Sequence, residues 1–196
     1  MPGFRGESSQ HRRRFIKRPR RWLWWGAALL IVLILVGELV AREGLGLGDP
    51  PLYEPHERIG YLNVPGEYER FGNHVAYNRY GMRSGDLGVR RVHPAELRIL
   101  MIGDSVIHGG ALTDQRDIAA TRLQRRLSER FDAPVRVGNA CAGGWSPVNM
   151  LAYVREFGFF DADVVVIVLS SHDYAGHPPA MPENVNFPES APTSAL

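Results

Sequence analysis

The stretch ELRILMIGDS, residues 96–105, decides the fold because it joins a continuous apolar run to a short polar ending. The run LRILMI (97–102) is typical of a strand buried on both faces of a parallel sheet. Gly103, Asp104 and Ser105 follow it directly. Parallel sheets carry their functional groups at the carboxyl ends of their strands. The stretch therefore predicts a central strand that delivers Ser105, a candidate nucleophile, to the edge of a sheet.

Two more strands and two helices are expected after this strand. Residues 134–140 and 163–171 have the apolar content of strands, and residues 113–131 have the apolar spacing of a helix. Residues 146–157 predict a second helix, with Ser146 as its N-cap. The alternation of strand and helix, joined by right-handed crossovers, predicts an α/β fold with a parallel sheet.

All three predicted strands end in small or polar residues. The second is followed by NACAGGW (139–145), which contains Gly144, and the third ends Ser170-Ser171-His172-Asp173. Because the carboxyl ends of parallel strands meet at one edge, these groups are expected near Ser105. The candidate site residues are therefore Ser105, Gly144 and His172.

These blocks resemble those of the SGNH (GDSL-like) hydrolases, in particular membrane-anchored bacterial members. The likeness rests on Gly103-Asp104-Ser105, on Gly144 within its N-A-x-x-x-G-W string, and on the stretch GYLNVPGEYERFGNHVAYNRYGMRS (60–84) ahead of them. It extends over roughly residues 59–178. The resemblance implies a flavodoxin-like three-layer α/β sandwich and hydrolysis of an ester, such as an acetyl ester of a glycan. The same kind of site also supports O-acetyl transfer.

The resemblance also implies a role for each candidate. Ser105 would attack the ester carbonyl, and a serine needs a base to take its proton. The backbone N–H groups of Ser105 and Gly144 would hold the oxyanion. His172 occupies the position of the family's Asn, followed by the matching Asp173, and could donate a ring N–H in its place.

One block of the family is missing. No Asp-x-x-His occurs before Leu196, and neither His108 nor His177 stands where the family places its base. The resemblance therefore predicts a C-terminally incomplete domain whose last strand exposes an edge or a face. Two accounts fit the missing block: the chain is a truncated product of a longer gene, or a short member whose fold is completed by a partner chain. The alternative to an esterase is a truncated, non-catalytic membrane-anchored relative that binds a glycan or a partner.

Residues 22–41 form an apolar segment long enough to cross a bilayer. Twenty residues at 1.5 Å each span about 30 Å. Eight Arg and Lys residues and one acid, Glu7, precede it within residues 1–21. Because basic flanks stay cytoplasmic, the pattern predicts a signal anchor: a single-pass inner-membrane protein, held in lipid by residues 22–41, with an extracytoplasmic (periplasmic) domain.

Two export signals are alternatives to this anchor. A cleaved signal peptide is disfavoured because Leu39 occupies the −3 position before a cut after Ala41. Arg12–Lys17 resembles a twin-arginine signal. Either route also places the domain outside the cytoplasm.

Charge and cysteine content exclude other classes. Removing the basic tail from the totals of 23 basic and 21 acidic residues leaves 15 and 20, so the body is mildly acidic and nucleic-acid binding is not expected. Cys141, the single cysteine, predicts a small buried residue and no intrachain disulfide. No nucleotide motif or second metal-ligand cluster accompanies the site, so neither a cofactor nor a metal is expected.

The expected order is a basic tail (1–21), the transmembrane helix (22–41), a linker (42–60), an SGNH hydrolase-like domain (61–178, with a β segment over 61–93 and the α/β core over 97–178) and a Pro-rich tail (179–196).

Overall fold

The structure is a computed structural model, and it describes residues 21–171, 173, 180–183 and 186–196. The basic tail up to residue 20, His172 and His177 lie outside the described residues. The chain divides into two compact units, Met1–Val36 and Gly37–Leu196. The second unit contains the sheet and all of the described candidate residues.

An apolar helix stands at the start of the described chain. Helix α1 (Arg21–Leu39) has no buried residue and leads into a π-helical turn, Val40–Gly44. Together, Arg21–Gly44 is long and apolar enough to cross a membrane. Length and composition fit a membrane anchor and a signal sequence alike, and they match the apolar segment predicted over residues 22–41.

Two antiparallel hairpins precede the main sheet. Their strands are β1 (Tyr53–His56), β2 (Gly60–Asn63), β3 (Gly66–Arg70) and β4 (Asn73–Tyr77). The β structure expected over residues 61–93 therefore begins earlier than predicted. Strand β1 lies within residues 42–60, which the sequence predicts to be a linker. Prolines on either side of Tyr53 hide the strand pattern, although Tyr53 itself is buried.

The predicted parallel sheet is confirmed. It consists of β5 (Leu97–Gly103), β6 (Val135–Cys141) and β7 (Val164–Val168), in the order β6-β5-β7. Both pairings are parallel. The helices of this part are α2 (Ser105–His108), α3 (Ala119–Arg130) and α4 (Pro147–Phe157). The central position of β5 places Ser105 at the carboxyl edge of the sheet.

Both faces of β5 are covered, as its unbroken apolar run predicts. Leu100 and Ile102 belong to a core that includes Tyr153 of α4. Ile99 and Met101 belong to a second core, against which α3 packs. One helix thus covers each face of β5, and each buried aliphatic side chain contributes about 1.5–3 kcal/mol.

The two long helices differ in how well their starts were predicted. Helix α4 begins where the sequence indicates, because Ser146 and Asn149 form a reciprocal capping box. Helix α3 begins six residues later than predicted. The Asp114 carboxylate accepts hydrogen bonds from the backbone N–H groups of His74 and Arg116, at 3.0 Å each. These bonds hold the residues before α3 in a turn that is tied to β4.

The last strand, β7, is poorly covered. Its side chains are half-buried or exposed, and Ile167 is 64% exposed. An apolar groove of about 340 Å³ runs between β7 and α4, lined by residues such as Leu151, Val154 and Ile167. Strand β7 therefore exposes apolar side chains, as expected for the last of the predicted strands.

Candidate active site

Ser105 lies at the first position of α2, immediately after β5. The Asp104 side chain caps this short helix by accepting a hydrogen bond from Val106 N at 2.9 Å. Gly103 suits the turn because an added Cβ would lie 2.9 Å from the carbonyl oxygen of Val168. The side chain of Ser105 is exposed, and the described residues place no hydrogen-bond partner on its Oγ. A tight turn after a buried strand therefore presents an exposed serine at the edge of the sheet.

Ser105 lines a cavity of about 350 Å³. Its wall includes Gly143 from the loop after β6 and His108 from the end of α2. Aromatic and basic side chains from elsewhere complete it: Tyr53, Arg70, Tyr77 and Phe187. The ends of β5 and β6 therefore meet at one cavity, as expected for adjacent parallel strands.

The glycines after β6 divide their roles. Gly143 lines the cavity, whereas Gly144 lies beside it. Gly144 has φ +76°, which L side chains rarely adopt, and an added Cβ would lie 3.2 Å from Tyr61 Oη. Tyr61 Oη donates a hydrogen bond to the carbonyl of Gly143 at 2.6 Å. The left-handed turn at Gly144 thus shapes the loop whose backbone faces the cavity.

Two buried asparagines tie β6, the strand before this loop, to neighbouring elements. Asn139 on β6 donates to the carbonyl of Ile107 at 3.0 Å, which ties α2 to the sheet. Asn63 on β2 donates to the carbonyl of Cys141 at 2.8 Å and to that of Gly81 at 2.9 Å. Both side chains are at most 1% exposed. The hairpin region is therefore part of the framework of the site.

Arg83 is a fully buried cation behind the loop that follows Ser105. Its guanidinium donates to the carbonyls of His108, Gly110 and Thr113, the last two at 2.6 and 2.5 Å. No carboxylate lies within 4 Å of it in the part of the chain that the structure describes. Burial lowers the pKa of Arg83, although the pKa of an arginine remains far above neutrality. The side chain therefore binds the backbone at the end of α2 and in the segment that follows it.

His108 is the histidine nearest to Ser105 in sequence, and its ring is fully engaged. Nδ1 accepts from Gly110 N at 3.3 Å, and Nε2 lies 2.8 Å from Tyr77 Oη. Burial, together with the charge of Arg83, lowers the pKa of His108 to about 3. The neutral ring therefore donates through Nε2 and has no lone pair left for Ser105. In this arrangement His108 is a structural residue.

The end of β7 differs from the other two strand ends. Ser170 N donates to the Asp173 carboxylate at 2.6 Å, and the Ser170 hydroxyl is buried without a partner among the described residues. Neither residue lines the cavity. His172, predicted as an oxyanion donor, lies outside the described residues, so its role stays a prediction.

The C-terminal segment contributes to the site although the sequence predicts only a Pro-rich tail. The Phe187 ring packs against Tyr53 and Tyr61, with centroids 5.0 and 5.5 Å apart. Tyr53 N donates to the carbonyl of Pro188 at 2.9 Å. The described part of the tail has no helix or strand, but Phe187 forms part of the cavity wall. A lone aromatic residue among prolines was the signal for this contact.

Cys141 behaves as a buried apolar residue. It is 0% exposed, and burial raises the pKa of its thiol to about 12. A thiol with so high a pKa is unreactive at neutral pH. The prediction of a small buried residue is confirmed.

No model of a protein family matches the chain, and no curated protein matches its sequence.

Proposed function

We propose that this chain carries an SGNH-type serine hydrolase domain that cleaves an acyl ester. Ser105 is the nucleophile, and the backbone N–H groups of Ser105 and the Gly143–Gly144 loop receive the oxyanion. The observation that carries the proposal is the meeting of two strand ends at one cavity, which is lined by Gly143 and by an exposed serine whose hydroxyl has no hydrogen-bond partner among the described residues. The same resemblance implies a flavodoxin-like sandwich, which α3 and α4 on opposite faces of β5 support.

The chemistry requires two steps. Ser105 Oγ attacks the ester carbonyl while a base takes its proton. The tetrahedral adduct then expels the alcohol, which takes that proton from the base, and an acyl-serine remains. Water then attacks the acyl-serine, releasing the acid and restoring the hydroxyl. Each oxyanion donor contributes about 100-fold or more to the rate. Gly144 suits this role because its φ of +76° shapes the loop without a side chain.

The base is the part of the mechanism that the described residues do not supply. His108 is neutral and has both ring nitrogens engaged. His172 and His177 remain the candidates in the sequence, His172 also as the third oxyanion donor. Alanine substitution of each histidine shows which one is the base. Loss of the base should lower kcat steeply, whereas loss of an oxyanion donor should lower kcat less.

The proposed setting is the outer side of a bacterial inner membrane. Arg21–Gly44 is long and apolar enough for an anchor, and the basic residues ahead of it favour a cytoplasmic N-terminus. An acetylated glycan is the substrate class that fits such a location. Acetyl transfer to a second sugar is a variant of the same chemistry, in which an alcohol replaces water in the second step.

The test is ester hydrolysis by the detergent-solubilised full chain. We expect the wild type to release acetate from 4-nitrophenyl acetate, and Ser105→Ala to lose this activity. Ser128→Ala, an exposed serine on α3, is the matched control and should retain it. Added glycan acceptors distinguish the two variants of the chemistry, since transfer yields an acetylated acceptor in place of free acetate. Activity that survives in Ser105→Ala would refute the proposal.

A non-catalytic domain that binds a glycan or a partner is the second candidate. The engaged, neutral ring of His108 favours it, because none of the described residues activates Ser105. This candidate predicts that Ser105→Ala binds its ligand and supports function like the wild type. A functional defect caused by that substitution alone would exclude it.

A further inference from the structure

The charge inside the Ser105 cavity is uneven. Most of its wall is neutral, formed by prolines, small residues and the rings of Tyr53, Tyr77 and Phe187. No Asp or Glu is part of that wall among the described residues. His108 is neutral because its pKa is lowered to about 3. Arg70, at the end of β3, is thus the residue that brings a permanent charge to the cavity.

The guanidinium of Arg70 has spare hydrogen-bonding capacity. Its one hydrogen bond is a long contact of 3.5 Å from Nη1 to the carbonyl of Gly46, and it stacks over the Phe71 ring at 5.1 Å. No carboxylate within the described chain pairs with it. The neighbouring Glu69 contacts His74 instead, at 3.2 Å. An arginine has five N–H donors, so most of those on Arg70 are available to a ligand.

The surroundings strengthen the attraction of this cation for an anion. Low-dielectric walls in a concave site focus the field of a single charge and increase its interaction with a ligand charge. Aromatic and proline surfaces provide apolar contact for the rest of a small molecule. A cavity of about 350 Å³ accommodates a ligand of that size. Among the described residues, the site therefore combines the serine hydroxyl, an apolar wall and a cation, Arg70, that no carboxylate pairs with.

We infer that the ester cleaved at Ser105 carries an anionic group, a carboxylate or a phosphate, which Arg70 binds while the ester lies at the serine. This inference rests on the proposed function and adds the substrate class. Arg70 acts as a specificity residue. A guanidinium–carboxylate contact in such a site favours the anion over a neutral isostere by about 10- to 100-fold.

The experiment compares two isosteric esters, 4-acetoxybenzoate and 4-acetoxybenzamide, on the detergent-solubilised full chain. We expect kcat/KM to favour the benzoate by about 10-fold or more, and Arg70→Gln to abolish that preference. Arg70→Lys should retain part of it, because the charge remains without the planar fork. Arg90→Gln is the matched control, since Arg90 is exposed and does not line the cavity. An arm with 4-acetoxyphenyl phosphate shows whether a carboxylate or a phosphate fits better.

A binding arm separates this inference from the proposed function. Titration calorimetry on Ser105→Ala, which cannot turn over either ester, should show the same preference for the benzoate and its loss in the Ser105→Ala/Arg70→Gln double variant. Absence of hydrolysis with a retained, Arg70-dependent preference in binding would refute the hydrolase and support the anion site. Equal treatment of both esters, a preference that survives in Arg70→Gln, or no binding of either ester would overturn the inference.

Discussion

Ile102 on β5 and Ile167 on β7 are paired across one ladder of the parallel sheet, but Ile102 is 3% exposed and Ile167 is 64% exposed. The same contrast separates the two strands beside β5. Strand β6 is mostly buried, and its end contributes Gly143 to the cavity, whereas β7 is exposed and the described residues at its end lie off the cavity. Cover from hairpins and helices therefore coincides with convergence on Ser105, whereas the poorly covered strand β7 contributes none of its described end residues to the cavity.

The largest expected effect is a difference in stability between alanine variants of the two paired isoleucines. Ile102→Ala opens a cavity in a packed core and is expected to lower the free energy of unfolding by about 2–5 kcal/mol. Ile167→Ala removes a side chain that is largely in solvent already and should cost about 0.5 kcal/mol or less. Denaturant unfolding of the detergent-solubilised chain measures both. Similar losses in the two variants would mean that β7 is covered in solution.

Substitution of Arg83 tests the stability of the well-covered side of the sheet. Arg83→Met leaves three carbonyls, one of them buried, without their donor, so we expect a loss of about 2–3 kcal/mol and weaker reactivity of Ser105. Arg116→Met, on an exposed arginine, serves as control and should change stability by less than about 0.5 kcal/mol. The same denaturation assay reports both values. A neutral Arg83→Met would contradict the role assigned to this buried cation.

The pKa of His108 predicts a loss of stability in acid. The folded protein keeps this ring neutral down to about pH 3, whereas an unfolded chain protonates it near pH 6.5. Between these values the unfolded state binds the additional proton, so stability falls as the pH decreases. From pH 7 to pH 5 the loss is about 2 kcal/mol. His108→Asn should reduce this pH dependence in denaturation experiments, and an unchanged slope would rule out a buried neutral ring.

The smallest of these effects concerns the loop after β6. Gly144→Ala places a Cβ on a residue with φ +76°, which should cost about 1–2 kcal/mol and reduce activity through the displaced loop. Gly85→Ala is the control, because an added Cβ there meets open space. Thermal unfolding and acetate release are the two measurements. Full activity in Gly144→Ala would show that this turn does not contribute to the oxyanion site.

The sheet could be predicted from sequence because its signals are local. Continuous apolar runs identified β5 and β7, the short stretch PVRVGNA (134–140) identified β6, and Ser146 with Pro147 marked the start of α4. The start of α3 could not be placed in this way, because hydrogen bonds from the Asp114 carboxylate to backbone N–H groups, including that of His74, hold the preceding turn. The hairpins were recognised as a β segment, but prolines hid β1.

Within the site, the residues that the sequence indicated are those in strand-end motifs. Ser105 and the glycine loop belong to that group. Arg70, Arg83 and Phe187 were missed, because each acts through partners distant in sequence. The acceptors of Arg83 are backbone carbonyls, which any residue provides, and the contacts of Phe187 with Tyr53 and Tyr61 arise only in three dimensions.

Covalent labelling with a fluorophosphonate, followed by peptide mass mapping of the full chain, tests most directly whether Ser105 is a nucleophile. A serine hydrolase should carry a single adduct on Ser105, absent from Ser105→Ala and retained in Ser128→Ala. Absence of any adduct on a chain that unfolds cooperatively, or an adduct only on another serine, would contradict the account.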